Sequence, residues 1–367
     1  MPAYSFLDRL LHRLALSLTP VAEMSFDMDQ PRAGPLMPGL CEARHVFVAG
    51  LARAGTTVLM RRLHASGAFR SLTYRDMPFV LAPNLWKSLS ATSRRNLESA
   101  ERAHGDGVRV DADSPESLEE VFWRVFDGRS YIAADHLCAH APGAQLRETY
   151  QRYVGAILAS GAAGETRYLS KNNNNILRLG AIRRAFPNAL ILVPFRHPLA
   201  HAASLLRQHL HFSEVHAGDR FARDYMTWLV HHEFGGDHRP FRLGSDGDTP
   251  LPADTMSLDY WLELWLRTYR WLLETAPETV VFVGYEQLCA DPAVWRQLAA
   301  LAGIDGAASE DGGFRASTAR PAGSPEPRRL AEAERLYGAL EARARTSLAA
   351  ASDWRDTSVS RRLSIAS

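Results

Sequence analysis

Residues 50–57 read Gly-Leu-Ala-Arg-Ala-Gly-Thr-Thr, with four residues between Gly50 and Gly55 and two hydroxyls directly after. An apolar run from His45 to Ala49 leads in and an apolar-periodic segment leads out, so the stretch predicts strand, glycine loop and helix. Backbone amides in such a loop, continued by a helix N-terminus, form an anion site whatever the side chains are. The spacing matches the nucleoside-triphosphate loop GxxxxGK[ST], except that Thr56 stands where the lysine belongs. Arg53 and the hydroxyls of Thr56 and Thr57 can supply the charge and hydrogen bonds that the lysine would have given.

A second anion site is predicted at Arg196, which ends the apolar strand ALILVPF, together with Ser204, eight residues on within a helix opened by Pro198. Arginine offers a charged fork and serine a small hydroxyl, a suitable pair for a phosphate monoester. The chain has only two lysines, Lys87 and Lys171, and otherwise uses arginine. Lys171 ends the predicted strand TRYLSK, where a compact ammonium can follow charge developing on a reacting group; Lys87 lies in a polar helical stretch and is read as solvated. His197 and His201 share a helical face, and His231, His232 and Glu233 are adjacent, but no third ligand falls at metal-site spacing, so no metal is expected.

The elements that must position these groups alternate. After the first strand, loop and helix comes a largely helical middle, including SPESLEEVFWRVF, where Ser114 is placed as a cap and Pro115 in the first turn. Then follow TRYLS as strand, KNNNN as turn and cap, ILRLGAIRRAF as helix, ALILVPF as a buried strand, TVVFVGY as another, and AVWRQLAALAG as a helix. This predicts an α/β fold of three layers, a mostly parallel sheet flanked by helices. Residues 1–40 are read as an amphipathic helix and linker, 41–305 as the α/β domain, and 306–367 as a loop or lid, a charged helix and a frayed tail. Arg315, in the Gly-, Ser- and Pro-rich segment, could close over a ligand.

With 367 residues, 46% of them apolar, the chain can bury a full core, and a formal net charge of +1 gives no global field for nucleic acid or an anionic membrane. Three scattered cysteines suggest neither a disulfide framework nor a zinc ribbon. No apolar run is long enough to span a membrane, and charges interrupt the N-terminal apolar stretch, so a cytoplasmic location is expected. That helix either packs on the domain or rests on a membrane surface.

Taken together, these stretches resemble the superfamily of sulfotransferases that use 3′-phosphoadenosine 5′-phosphosulfate (PAPS). GLARAGTTVL is similar to the family's 5′-phosphosulfate loop, and FRHPLAHAASLL to its 3′-phosphate motif, with the same Arg-to-Ser spacing. FPNALILV and VGYEQLCADP resemble the lead into that motif and a late strand end. The resemblance implies a P-loop-like fold, PAPS as co-substrate and no metal, which accounts for the missing lysine. It implies that Arg53, Gly55, Thr56 and Thr57 hold the phosphosulfate with the loop amides. Ala54 would share that role by position, although it stands where the family usually has serine. Arg196 and Ser204 would hold the 3′-phosphate, Tyr285 would touch adenine, and Lys171 would lie near the reacting sulfate. Cytosolic members place a histidine two residues after that lysine; here the position is Asn173, which cannot take a proton. The nearest carboxylate to the base of other branches is Asp76, with Glu119 and Glu120 as distant alternatives.

The expected activity is sulfuryl transfer to an acceptor hydroxyl, with Asp76 as base and Lys171 and Arg53 stabilising charge. Saccharide, lipid-linked glycan, peptide tyrosine and small phenol or alcohol are all compatible acceptors; branch resemblance favours a carbohydrate or other cell-surface hydroxyl. Two rivals stand beside this reading: an ATP-dependent kinase with a degenerate loop, and a catalytically inert nucleotide-binding interaction protein.

Overall fold

The computed structural model describes residues 6–35, 38–90, 100–101, 109–110, 115–244, 250–305, 313–315 and 323–365. Its centre is a five-stranded sheet of β1 (Val46–Val48), β2 (Phe69–Arg70), β3 (Arg167–Lys171), β4 (Leu190–Phe195) and β5 (Val281–Gly284). The strands lie in the order β2-β3-β1-β4-β5, and every pairing is parallel. Parallel strands need long crossovers, and helices supply them on both faces.

Alternation along the strands divides the core in two. Val46, Val48, Leu169, Leu192, Val281 and Val283 face Leu59, Met60 and Leu63 of α3 (Thr56–His64) and Trp295, Leu298 and Ala299 of a later helix, Pro292–Ala302. Phe47, Tyr168, Ile191, Val193 and Phe282 face the opposite, aromatic-rich layer, which includes Tyr150 and Tyr153 of the helix Ala144–Ala159 and Trp261 and Trp265 of the helix Leu258–Thr275. β1, β4 and β5 are buried on both faces, so their sequences are continuous apolar runs.

Both flanking segments join this body. The N-terminal helix Phe6–Ser17 packs on the helix Arg220–Trp228, with the Arg9 guanidinium 4.9 Å from the Phe221 ring and His12 tilted against Tyr225. A second helix, Thr19–Ala33, buries Phe26 among Phe122, Phe126 and Tyr153. The C-terminal helix Pro327–Ile365 packs on β5 and the helix Leu258–Thr275, burying Ala333, Leu340 and Ala344. Among the described residues, no helix is long and apolar enough to cross a membrane.

One expected boundary moves. The helix placed at Pro115 begins at Glu120, because Pro115 is drawn into an antiparallel bridge with Thr73, and Glu116 N–H donates to the Leu72 carbonyl. Extended backbone there excludes a helical first turn. Ser114 lies outside the described residues.

Candidate active site

The carboxyl ends of β1, β3, β4 and β5 surround a cleft of about 310 Å³. β1 runs into the glycine loop, where Arg53 (φ 69°) and Gly55 (φ 91°) both take the left-handed conformation. Such alternation turns successive N–H groups toward one point, and Gly55 directly precedes the first turn of α3. Glycine is required there twice over: a Cβ would lie 2.3 Å from Cδ2 of Tyr285. Behind the loop, His201 Nε2 donates to the Ala52 carbonyl at 2.8 Å. Burial, with Arg196 and Arg53 nearby, lowers the His201 pKa to about 3, so its ring is a neutral brace.

β4 ends at Phe195, and Arg196 folds back over the loop. Its Nη1 donates to the Arg53 carbonyl at 3.2 Å, and its guanidinium carbon lies 5.2 Å from the Tyr285 ring centre. Arg196 Nε is buried without a hydrogen-bond partner, 3.9 Å from a Glu286 carboxylate oxygen. A buried guanidinium N–H with no acceptor is a position an anion would satisfy. Arg53 Nε donates to Ser204 Oγ at 3.3 Å, so the two predicted anion sites meet in one cleft. Ala54, within the loop, is fully buried.

β5 ends at Gly284, and Tyr285 opens a short helix with its ring against Gly55. Its hydroxyl donates to the Arg315 carbonyl at 3.0 Å, and burial raises its pKa. Phe314 is wedged against Tyr285 and Trp295, with the Arg62 guanidinium 4.9 Å from its ring centre, which holds Arg315 at the cleft wall.

β3 ends at Lys171, in register with Val48, and Lys171 lines the cleft although only 7% exposed. The four asparagines after it have separate tasks. The Asn172 side-chain oxygen caps the following turn by accepting from Asn174 N–H at 3.0 Å, and its Nδ2 donates to Glu120. Asn173 Nδ2 donates to Glu233 at 2.8 Å, Asn174 Nδ2 to the Val230 carbonyl at 3.2 Å, and Asn175 Nδ2 to Glu119 at 3.1 Å. Behind them the Glu120 carboxylate takes both terminal nitrogens of Arg178, at 2.7 and 2.8 Å. Burial works against that charge, but the guanidinium outweighs it and lowers the Glu120 pKa.

Asp76 is not brought to the cleft. One of its oxygens pairs with Arg70 at 2.6 Å; the other accepts from Thr73 N–H at 2.7 Å and closes a capping box with Thr73. With both oxygens committed and 5% exposure, it anchors a turn, and the expected base role does not fit this position. Glu119 and Glu120 are likewise held in the buried network. The cleft has other proton acceptors, which the sequence did not single out as bases: Glu116, His231 and Glu233. Of the histidines and carboxylates weighed for metal, no group among the described residues could hold an ion.

The family model described as the sulfotransferase family matches residues 45–306. The chain belongs to the sulfotransferase family. Among solved structures, this sulfotransferase is similar to STF9 from Mycobacterium avium, at 16% identity over 91% of this chain and 78% of that one, with a TM-score of 0.45. It is also similar to STF1 from Mycobacterium tuberculosis H37Rv (17%, 80% and 77%, 0.43) and to a sulfotransferase from Alicyclobacillus acidocaldarius (14%, 83% and 96%, 0.36). No curated protein matches it by sequence.

Proposed function

We propose that this sulfotransferase moves the sulfuryl group of PAPS to an acceptor hydroxyl. The observation that carries this is the meeting of two anion-holding segments, Arg53 through Thr57 and Arg196 with Ser204, in one cleft lined also by Lys171. A donor with phosphate at one end of its nucleoside and phosphosulfate at the other needs two such segments. The loop amides with Arg53, Thr56 and Thr57 would hold the phosphosulfate, and Arg196 and Ser204 the 3′-phosphate. Tyr285, buried beside Arg196, offers a face for adenine, and Arg315 closes the same side.

Catalysis on this reading is positioning and electrostatics. Lys171 and Arg53 stabilise charge on the bridging oxygen as it leaves. The acceptor enters beside Phe234, Met226, Glu116 and Glu233, an aromatic and thioether wall flanked by carboxylates. Asn173 Oδ1 is a buried acceptor atom without a donor, a place for a second hydroxyl of the incoming molecule. These features support a polyhydroxylated acceptor such as a carbohydrate or another cell-surface hydroxyl.

The test is thermal stabilisation by adenosine 3′,5′-bisphosphate compared with ATP and Mg²⁺, since a ligand that binds only the folded state raises its melting point. The bisphosphate should stabilise the wild type, ATP with Mg²⁺ should not, and Arg196→Ala should remove the shift. Stabilisation by ATP with Mg²⁺ alone would favour the kinase; bisphosphate binding without transfer to any acceptor would favour the inert interaction protein.

A further inference from the structure

With Asp76 anchoring a turn, the proposed transfer has no base among the residues carried over from the family. We propose that His231 is that base; the inference rests on the PAPS reading and assigns the proton-transfer step within it. The ring lines the cleft, and its Nε2 lies 3.1 Å from the Ser117 carbonyl oxygen. A carbonyl can only accept, so Nε2 carries the hydrogen and Nδ1 holds the lone pair. A base whose second nitrogen is fixed by a backbone acceptor is oriented and in the tautomer needed to take a proton.

The backbone that presents His231 carries a second, independent mark. Val230, the preceding residue, has φ 57° although it is β-branched. Such a residue in the left-handed region is strained and persists only where its surroundings enforce it. Here they do: Val230 N–H donates to the Thr227 carbonyl, His231 N–H to the Met226 carbonyl at 2.9 Å, and Asn174 Nδ2 holds the Val230 carbonyl. Two asparagines that follow Lys171 therefore grip the loop carrying His231, Asn174 through Val230 and Asn173 through Glu233.

The two carboxylates on the same wall are poorer candidates. Glu116 accepts from the Tyr74 hydroxyl through one oxygen and from Ser117 N–H through the other, and Glu233 accepts from Asn173. Imidazole is in general the stronger base of the two types. In the step itself the acceptor oxygen bonds to sulfur as the bond from sulfur to the 5′-phosphate oxygen breaks. The electron pair of that bond leaves on adenosine 3′,5′-bisphosphate, and the hydroxyl proton passes to His231 Nδ1. The imidazolium so formed has Glu116 and Glu233 as the carboxylates of its own cleft, which also holds the cations Lys171, Arg53, Arg196, Arg207 and Arg315.

The test compares His231→Gln and Glu233→Gln with wild type, using PAPS and a series of simple acceptors from benzyl alcohol through phenol to 4-nitrophenol. Glutamine keeps a side-chain N–H for the Ser117 carbonyl but has no basic nitrogen. The expected result is a kcat loss of about 10²-fold or more with benzyl alcohol for His231→Gln. The loss should shrink toward none with 4-nitrophenol, which ionises unaided, and the wild-type fall in kcat/KM at acidic pH should disappear. Stabilisation by adenosine 3′,5′-bisphosphate should be unchanged in the variant. A loss equal across the series, no loss, or a graded loss in Glu233→Gln instead would overturn the assignment. If the wild type is not stabilised by the bisphosphate, the PAPS reading fails and this inference with it.

Discussion

Gly55→Ala probes the glycine loop most directly. Gly55 has φ 91°, and a Cβ there would lie 2.3 and 2.6 Å from two carbons of the Tyr285 ring. Left-handed backbone costs a residue with a Cβ about 1–2 kcal/mol. To bring the nearest contact from 2.3 Å to the 3.4 Å of ordinary packing, the ring must move by 1.1 Å. Overpacking of that kind costs about 1–3 kcal/mol, and the lower entropy of the unfolded alanine chain returns about 0.4–1 kcal/mol. The net destabilisation is therefore about 1–5 kcal/mol, measured as the urea midpoint with the slope unchanged. Gly67→Ala isolates the backbone part, because Gly67 has φ 70° and open space around it, and should cost about 0–1.6 kcal/mol. The displaced ring carries Arg196 and Arg315 with it, so Gly55→Ala should also lose most of its stabilisation by adenosine 3′,5′-bisphosphate. In a Tyr285→Ala background the excess cost over Gly67→Ala should vanish. A Gly55→Ala protein as stable as Gly67→Ala, with the bisphosphate shift intact, would refute the packing argument.

Asp76→Asn should lower stability by about 3–5 kcal/mol, because it leaves the buried Arg70 guanidinium without its counter-charge, yet the bisphosphate should still raise the variant's melting temperature. Loss of the ligand shift with stability intact would return Asp76 to the site. Stability should also fall with acid. His45 and His238 have pKa values lowered from 6.5 to about 4, first by burial, so the unfolded chain binds more protons than the native state between those values. Stability is then fully present above pH 6.5 and declines as the pH drops toward 4, by about 1.4 kcal/mol per pH unit for each such group. A denaturation midpoint that stays flat across that window would contradict the burial of these rings.

Local signals made the glycine-loop side of the cleft legible. Gly50 through Thr57 announces strand, loop and helix in consecutive residues, and Arg196 and Ser204 lie within three turns of one strand end, so one stretch of chain fixes their relation. The opposite wall had no such signature. Glu116, His231 and Glu233 reach the cleft from two distant loops, and Glu233 meets Asn173 across 60 positions. The run of asparagines was legible as a cap, which is the task of Asn172; the grip of Asn173 and Asn174 on the loop at 230–233 depends on a backbone twist at Val230 that no composition reveals. Thr73 and Asp76 did carry a local signal, the hydroxyl and carboxylate of a capping box, which competes with a catalytic reading of the same aspartate. The C-terminal helix looked charged and peripheral because its buried positions are small: Ala333 and Ala344, with Leu340 between them, let it lie close to β5.

On the proposed PAPS reading, the bond from Arg196 to the Arg53 carbonyl would make the recognition of the nucleotide's two ends a shared property. Whatever drew the guanidinium toward a ribose phosphate would also bear on the peptide that shapes the opposite loop, so the affinities for the two ends would not be separable sums. A nucleotide lacking the 3′ group would forfeit that group's own attraction and, in addition, part of the loop's readiness for the other end. The enzyme would then tell PAPS from the far commoner adenine nucleotides without any contact that reads the base, by making one phosphate a condition for holding the other.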